Sequence, residues 1–233
     1  MKKFFFVFFA VFLAACGTTN SRKKGFDFDG EYKRALHEIR RNHFYTASEI
    51  FEKINLDGTK LDDKSIILSA FSYYKSKQYV ESLSTIDFFE KTFPMHDEIV
   101  YMNYLKILNY FKRLEYVGKG ADLAKTGYEL CSNFLVKYKN SIYYDDVFSK
   151  LEIFKNYIVA NELEVIRFNL SRNNFAPALK RLDYIRDNFD NNLYRDEVYF
   201  RYIEIYKYVG YNYNKNLINE IKSPKWKNLA EKL

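Results

Sequence analysis

The feature that most constrains the fold is a helical pattern that returns along the chain. In its clearest copy, small and large residues alternate over two helix-length stretches: Ile66, Ala70, Tyr73, Tyr79, Ser82, Ile86, Phe89 and Pro94. This spacing matches the later part of the ~34-residue tetratricopeptide repeat. Small residues let two antiparallel helices cross closely, large residues fill the space to the next pair, and proline ends the second helix. The stretch therefore predicts one helix–turn–helix unit.

Four further copies of this pattern extend the prediction along the chain. The first lies 35 residues upstream, and the later small landmarks are more than 34 residues apart, so the later helices must be longer. One such helix is predicted over 151–170, and the last, looser unit begins near Glu197 and turns at Gly210. With only eight Gly and three Pro in the chain, we predict an all-α solenoid of about five repeats. The other landmarks are Phe44, Ala47, Phe51, Ile54; Gly127, Cys131, Phe134; Phe175, Ala178, Leu182 and Ile185.

The first residues read as an export signal. Lys2 and Lys3 precede an apolar run over 4–15. At ~1.5 Å per residue this run reaches only ~18 Å, too short for a ~30 Å hydrocarbon core. The following Leu13-Ala14-Ala15-Cys16 resembles the lipobox of bacterial lipoproteins, in which the cysteine is acylated after cleavage. We predict a signal peptide over 1–15, a lipidated Cys16 with a flexible tether over 16–30, and a repeat domain over 31–233.

Several function classes find no support in the sequence. The three histidines are not spaced as metal ligands, and neither a glycine-rich phosphate loop nor a Gly-x-Ser-x-Gly motif is present. An enzyme, a metal and a cofactor are therefore not expected. The net charge is +7, but the charges are mixed and the chain is exported, so nucleic acid is not an expected partner either. With Cys16 acylated, Cys131 has no disulfide partner, and we expect it to be buried.

Three segments resemble the BamD family, the lipoprotein subunit of the outer-membrane β-barrel assembly machinery. The first runs from Phe93-Pro94-Met95-His96 through Tyr101 and Tyr104. The second is Tyr138-Lys139-Asn140-Ser141 with Tyr143, where Lys139 replaces the family's usual proline. The third contains Ala160-Asn161-Glu162 and Lys180-Arg181-Leu182, and the ending Ser223-Pro224-Lys225-Trp226 is also similar.

The resemblance implies a location and partners. The chain would be held by its lipid at the periplasmic face of the outer membrane, and the Gly17 after the cysteine also favours that membrane. It would bind the BamA-like barrel subunit and unfolded outer-membrane β-barrel proteins. Arg181 matches the family's arginine that contacts the barrel subunit. Arg172, nine residues earlier, is a second candidate, and the alternative is that both are solvated helix charges.

A substrate groove is predicted beside the packing stripe of the second repeat. Its residues are Ile67, Phe71 and Tyr74, which neighbour Ile66, Ala70 and Tyr73 on the same helix. An exposed apolar stripe of this kind would hold an aromatic-rich segment of an unfolded barrel protein. The equal alternative is that a neighbouring helix or the tether covers it.

Two other functions are compatible with a lipid-anchored helical scaffold. One is a tetratricopeptide lipoprotein serving cell-wall enzymes or secretion machinery. The other is a wall- or carbohydrate-binding module that uses exposed aromatic residues. A repeat scaffold does not by itself name its partner.

Overall fold

The chain folds into antiparallel helices that follow one another in a single array. The structure is a computed structural model, and the residues it describes are 26–57, 62–117, 120–210 and 216–233. Within those ranges it contains eleven helices and no strand, which confirms the all-α prediction. The helices are α1 (Phe28–Arg40), α2 (Phe44–Asp57), α3 (Asp63–Lys75), α4 (Tyr79–Thr92), α5 (Ile99–Val117), α6 (Ala121–Lys137), α7 (Tyr144–Leu170), α8 (Phe175–Phe189), α9 (Arg195–Val209), α10 (Asn216–Glu220) and α11 (Pro224–Lys232).

The helices pack in chain order, as the solenoid prediction requires. Each helix from α1 to α8 packs on the next one, and α9 packs on both α10 and α11. The first helices of neighbouring pairs also touch, because α3 contacts α5 and α5 contacts α7. Four pairs, α1–α2 to α7–α8, are therefore followed by a fifth unit in which α10 and α11 together replace the second helix.

Small residues lie where neighbouring helices cross. Ala47, Ser82 and Ala178 are fully buried, as the repeat pattern predicts. The Ser82 hydroxyl donates to the Ala70 carbonyl of α3 at 2.9 Å, so the crossing is closed by a hydrogen bond as well as by packing. At Gly127 a β-carbon would lie 2.4 Å from the Phe154 ring of α7. Only glycine leaves space for that ring.

Three of the tight turns share one backbone geometry. Asn42, Lys77 and Asn173 have φ of 60°, 66° and 57°, in the left-handed region. Each stands two residues before the aromatic residue that begins the second helix of its pair. After each one, the next residue's N–H donates to a carbonyl five residues back, as when Gln78 donates to Tyr73 at 2.8 Å. These bonds satisfy carbonyls at the helix ends.

Helix α7 is longer than the sequence predicted. It begins at Tyr144, seven residues before the predicted start at 151, and ends at Leu170 as predicted. Asp145 and Asp146 lie in its first turn, where carboxylates stabilise a helix N-terminus. The apolar residue Val147 is fully buried in the same turn, so the packing side of the helix continues upstream of 151.

The two ends of the described array are capped. Helix α1 begins at Phe28, three residues before the predicted domain boundary, because the Asp27 side chain accepts a hydrogen bond from the Gly30 N–H at 3.0 Å. Gly210 ends α9 at φ 79°, which confirms the predicted turn. At the C-terminal end of the array, Trp226 of α11 packs against Phe200 of α9, with ring centroids 5.1 Å apart.

The predicted signal peptide and Cys16 lie outside the described residues. Among the helices that the structure describes, none has the length and apolarity needed to cross a bilayer.

Candidate binding surfaces

Arg181 lies on α8 and is held by a carboxylate of the preceding helix. Its guanidinium pairs with Glu162 of α7, which belongs to the Ala160-Asn161-Glu162 segment noted in the sequence. The Arg181 side chain is 42% exposed, whereas that of Glu162 is 12% exposed. A guanidinium has five N–H donors, and this pair uses only part of them. Arg181 is therefore oriented by Glu162 and still presents donors to solvent.

Arg172 lies in the turn after α7 and covers an exposed aromatic ring. Its guanidinium carbon is 4.2 Å from the centroid of Phe168, whose side chain is 54% exposed. Val165, one turn earlier, is also exposed. Val165 and Phe168 lie three residues apart near the end of α7, on its exposed side. The result is a surface with both cationic and apolar character.

The stripe Ile67, Phe71 and Tyr74 is half-buried on α3. Phe71 meets the ring of Phe44 of α2 edge-on, with centroids 5.8 Å apart. Burial raises the pKa of the Tyr74 hydroxyl, although the charge of Lys112 opposes this effect. A neighbouring helix therefore covers part of the predicted groove and leaves part of each side chain accessible. The alternative in which a neighbouring helix covers the stripe holds for part of it, and the binding of an unfolded segment stays a prediction.

The segments that carried the family resemblance meet in space. Tyr104 of the first segment stacks on Tyr143 of the second, with centroids 4.2 Å apart and planes 8° from parallel. The Tyr104 hydroxyl donates to Asp146 of α7 at 2.7 Å. His96 Nε2 lies 2.8 Å from an Asp63 carboxylate oxygen at the start of α3, and this bond lowers the pKa of Asp63. These residues join consecutive helix pairs, a role that the sequence analysis did not identify.

The histidines and the free cysteine of the described residues form neither a metal site nor a reactive thiol. Among the described residues, no group of His, Cys, Asp or Glu is arranged to hold a metal ion. His43 pairs with Glu38 at 2.8 Å. Cys131 is fully buried, as predicted, and burial raises the pKa of its thiol to about 12. A thiol in this state is a poor nucleophile.

Comparison with known proteins relates this array to one family. The family YfiO, described as outer membrane lipoprotein, matches residues 29–220. The relatives include several proteins named outer membrane protein assembly factor BamD. The one from Rickettsia prowazekii is 23% identical over 77% of this chain and 72% of its own length. Those from Caulobacter vibrioides and Neisseria meningitidis are 20% and 21% identical, over 78% and 79% of this chain and 60% and 76% of their own lengths.

Proposed function

The chain belongs to the YfiO family of outer membrane lipoproteins, and from that membership we propose that it assembles outer-membrane β-barrel proteins. The observation that carries this proposal is the family match over 29–220, which spans the helical array from α1 to α10. A solenoid offers long surfaces to other polypeptides without needing a catalytic centre. The activity proposed is therefore binding and presentation, with no chemical step.

The proposed location is the periplasmic face of the outer membrane. Cys16 would carry the lipid, and the segment up to residue 26 would join it to α1. One acyl chain binds a bilayer only marginally, whereas two or more anchor a protein stably. Because the fold would then be tethered at its N-terminal end, the later helix pairs would remain free to contact a membrane-embedded partner.

The proposed contact with a BamA-like barrel subunit is the surface around Arg181 and Arg172. Arg181 is supported by Glu162 in an orientation that leaves its remaining donors available to a partner carboxylate. Phe168 beside Arg172 adds an exposed aromatic side chain. Aromatic residues and arginine supply much of the binding energy of protein interfaces. The surface thus combines charge pairing with apolar contact.

The Arg181→Glu variant tests this contact. Reversal places like charges at the interface, so we expect the affinity for the barrel subunit to fall at least about tenfold. Co-purification from detergent-extracted membranes measures this loss. Arg186→Glu is the matched control, because Arg186 lies on the same helix and is 44% exposed in pairs with Asp183 and Asp187.

A second variant separates the partner contact from the internal pair. Glu162→Gln removes the ion pair of Arg181 but keeps the arginine, so co-purification should persist. If Arg181→Glu retains the barrel subunit while its far-UV helicity is native, the proposed contact is wrong. If the chief co-purified proteins are cell-wall enzymes, or if the chain is retained on murein alone, the assembly function is also wrong.

The stripe on α3 is the proposed site for unfolded barrel segments. We expect Phe71→Ser to reduce photo-crosslinking to an unfolded barrel peptide by about fivefold or more, because an aromatic contact is lost. Phe175→Ser is the control, since Phe175 is also half-buried and pairs with one ring, Tyr208, at 4.6 Å. Equal crosslinking by both variants would assign Phe71 to packing alone.

A further inference from the structure

A second groove lies on a different side of α3 from the stripe just described. Helices α2 and α4 both pack on α3, and between them lies an open cavity of about 550 Å³. We call this cavity the α2–α4 groove and define it by Glu52, Leu56, Tyr73, Val80, Glu81 and Phe88. Tyr73 belongs to the floor, and the other five residues come from the two flanking helices.

The rim of the α2–α4 groove is apolar and open to solvent. Leu56 is 76% exposed, Val80 63% and Phe88 48%. Single exposed apolar residues are ordinary on protein surfaces, but three around one concave site are a feature of binding surfaces. Tyr73 on the floor is buried, so a ligand that enters would lose water on the side that faces the floor.

The same groove is acidic in a chain whose net charge is +7. Glu52 and Glu81 line it, and Glu49 lies one turn away from Glu52 on α2. None of these three glutamates forms an ion pair within the described part of the chain, although many other acidic side chains there do. The Tyr73 hydroxyl lies close enough to Glu52, Glu81 and Glu49 to feel their charges. Burial first, and then the three carboxylates, raise the pKa of that hydroxyl.

We propose that the α2–α4 groove binds a short segment of another protein that carries both apolar and basic side chains. The apolar side chains would cover Leu56, Val80 and Phe88, and the basic ones would pair with Glu81, Glu52 and Glu49. Opposite charge steers the encounter and apolar burial holds the complex. The proposal concerns a partner different from the barrel subunit and from unfolded barrel segments.

Two occupants from this chain fit the groove less well. The segment 17–25 supplies Arg22, Lys23 and Lys24 but no large apolar side chain, so the apolar rim would stay unmatched. Helix α11 exposes Lys225, Leu229 and Lys232, which have suitable chemistry. However, a contact between α11 of one copy and the groove of another is head-to-tail and would leave unfilled sites at both ends of every chain of copies.

Peptide binding tests the groove directly. The full chain, purified in detergent, is titrated into three fluorescent peptides of equal length. One peptide contains leucine, phenylalanine and lysine. The second has glutamate in place of lysine, and the third has serine in place of the apolar residues. We expect the first to bind at least about tenfold more tightly than the others. Equal binding of all three, or no binding of the first, would overturn the proposal.

Matched variants locate the binding site. Phe88→Ser and Glu81→Lys should each weaken the first peptide by about fivefold or more. The controls are Phe148→Ser, at a phenylalanine that is 50% exposed on α7, and Glu129→Lys, at an exposed glutamate of α6. Both controls should bind as the unaltered chain does. Loss of binding in the controls, or its retention in the two groove variants, would place the peptide elsewhere.

Two further measurements exclude the occupants from the chain itself. Sedimentation that shows self-association abolished by Glu81→Lys would assign the groove to a second copy and overturn the proposal. A tenfold gain in peptide affinity after Arg22, Lys23 and Lys24 are changed to alanine would assign it to the tether, with the same consequence. Arg181→Glu should bind the peptide normally, so this inference and the proposed function fail separately.

Discussion

Gly127 shows how one residue can set the distance between two helices. The ring of Phe154 occupies the space where a β-carbon would otherwise stand, with two ring carbons 2.4 Å from that position. Phe154 belongs to a large buried cluster that includes Cys131, Ile158 and Leu182, and Gly127 is buried beside its ring. A glycine within a helix costs about 1 kcal/mol relative to alanine, so its presence here indicates that close packing outweighs helix propensity.

We therefore expect Gly127→Ala to destabilise the chain by about 1–3 kcal/mol, because the ring must move out of a packed interior. Urea unfolding followed by circular dichroism measures the change. Lys125→Ala, at an exposed position of the same helix, should be nearly neutral. Adding Phe154→Leu to Gly127→Ala should restore part of the loss. A Gly127→Ala protein as stable as the parent would show that the crossing is not tight.

Residues that pack within a repeat could be predicted from the sequence, and residues that join repeats could not. Ala47, Ser82 and Ala178 recur at positions where helical periodicity marks one face. The stacking of Tyr104 on Tyr143 connects residues far apart in sequence. Periodicity tells which side of a helix is buried but not which residue of another helix it meets. For that reason the joining role of these motif residues became visible only in the structure.

At the scale of the element, the turns within pairs are the most uniform feature of the fold. Asn42, Lys77 and Asn173 occupy equivalent left-handed positions, and two of the three are asparagine. Asparagine tolerates this region because its short polar side chain can bond locally, whereas a lysine gains nothing from it. Lys77 is therefore the strained member of the set.

Lys77→Asn should stabilise the chain by about 0.5–1 kcal/mol, because the left-handed conformation becomes less unfavourable. The denaturation midpoint in urea should rise with an unchanged slope. Lys77→Ala is the control, since alanine keeps the β-carbon and lacks the local hydrogen bond, so it should give no gain. An asparagine variant no more stable than the alanine variant would contradict this account.

Helix lengths were harder to predict than the existence of the helices. The end of α7 at Leu170 followed from its apolar spacing, but its start at Tyr144 did not. The turn Asp145-Asp146-Val147 contains one buried residue among charged ones, too few to establish a helical period. Helix ends depend on capping and on first-turn charge, which leave a weaker mark in the sequence than a packed face does.

At the scale of the whole molecule, an ion-pair network connects α7 to α9, the first helices of the last two units. Arg167 of α7 holds Glu197 of α9 with two hydrogen bonds of 2.9 Å, and Arg201 adds a third at 3.2 Å. The Glu197 side chain is 9% exposed. Its burial alone would raise the pKa of the carboxyl group, but Arg167 and Arg201 lower the pKa below its ordinary value. The network thus stabilises the charged form.

This lowered pKa predicts how stability depends on pH. Because the pKa of Glu197 is lower in the folded chain than in the unfolded one, its contribution is complete above the ordinary value of about 4.3. That contribution is lost as the pH falls through the folded-state pKa. We expect Glu197→Gln to cost about 1–3 kcal/mol at neutral pH and much less at acid pH.

Unfolding at neutral and acid pH measures both values. Glu204→Gln is the control, because Glu204 also pairs with Arg201 but is 35% exposed and should contribute less than about 1 kcal/mol. A loss for Glu197→Gln that is equal at both pH values would contradict the proposed role of the charge.

The candidate surfaces were predictable to different degrees at this scale. Arg181 came from a family resemblance, and the structure adds Glu162 as the residue that orients it. The stripe with Phe71 came from repeat geometry. The α2–α4 groove had no signal in the sequence, because its rim residues Leu56, Val80 and Phe88 come from two helices and share no period. Such a site exists only once α2 and α4 lie on α3.

The order of packing along the array also has a mechanical consequence. Each helix pair is held mainly by the pairs next to it in the chain. Among the described residues, α1 and α9 form no extensive contact with each other. A small rotation at each junction between pairs would therefore add to the next one. The whole array would bend while the packing inside every pair stayed intact. The span between the stripe near one end and Arg181 near the other would change with that bending, which would let the two proposed sites hold polypeptides of varying size.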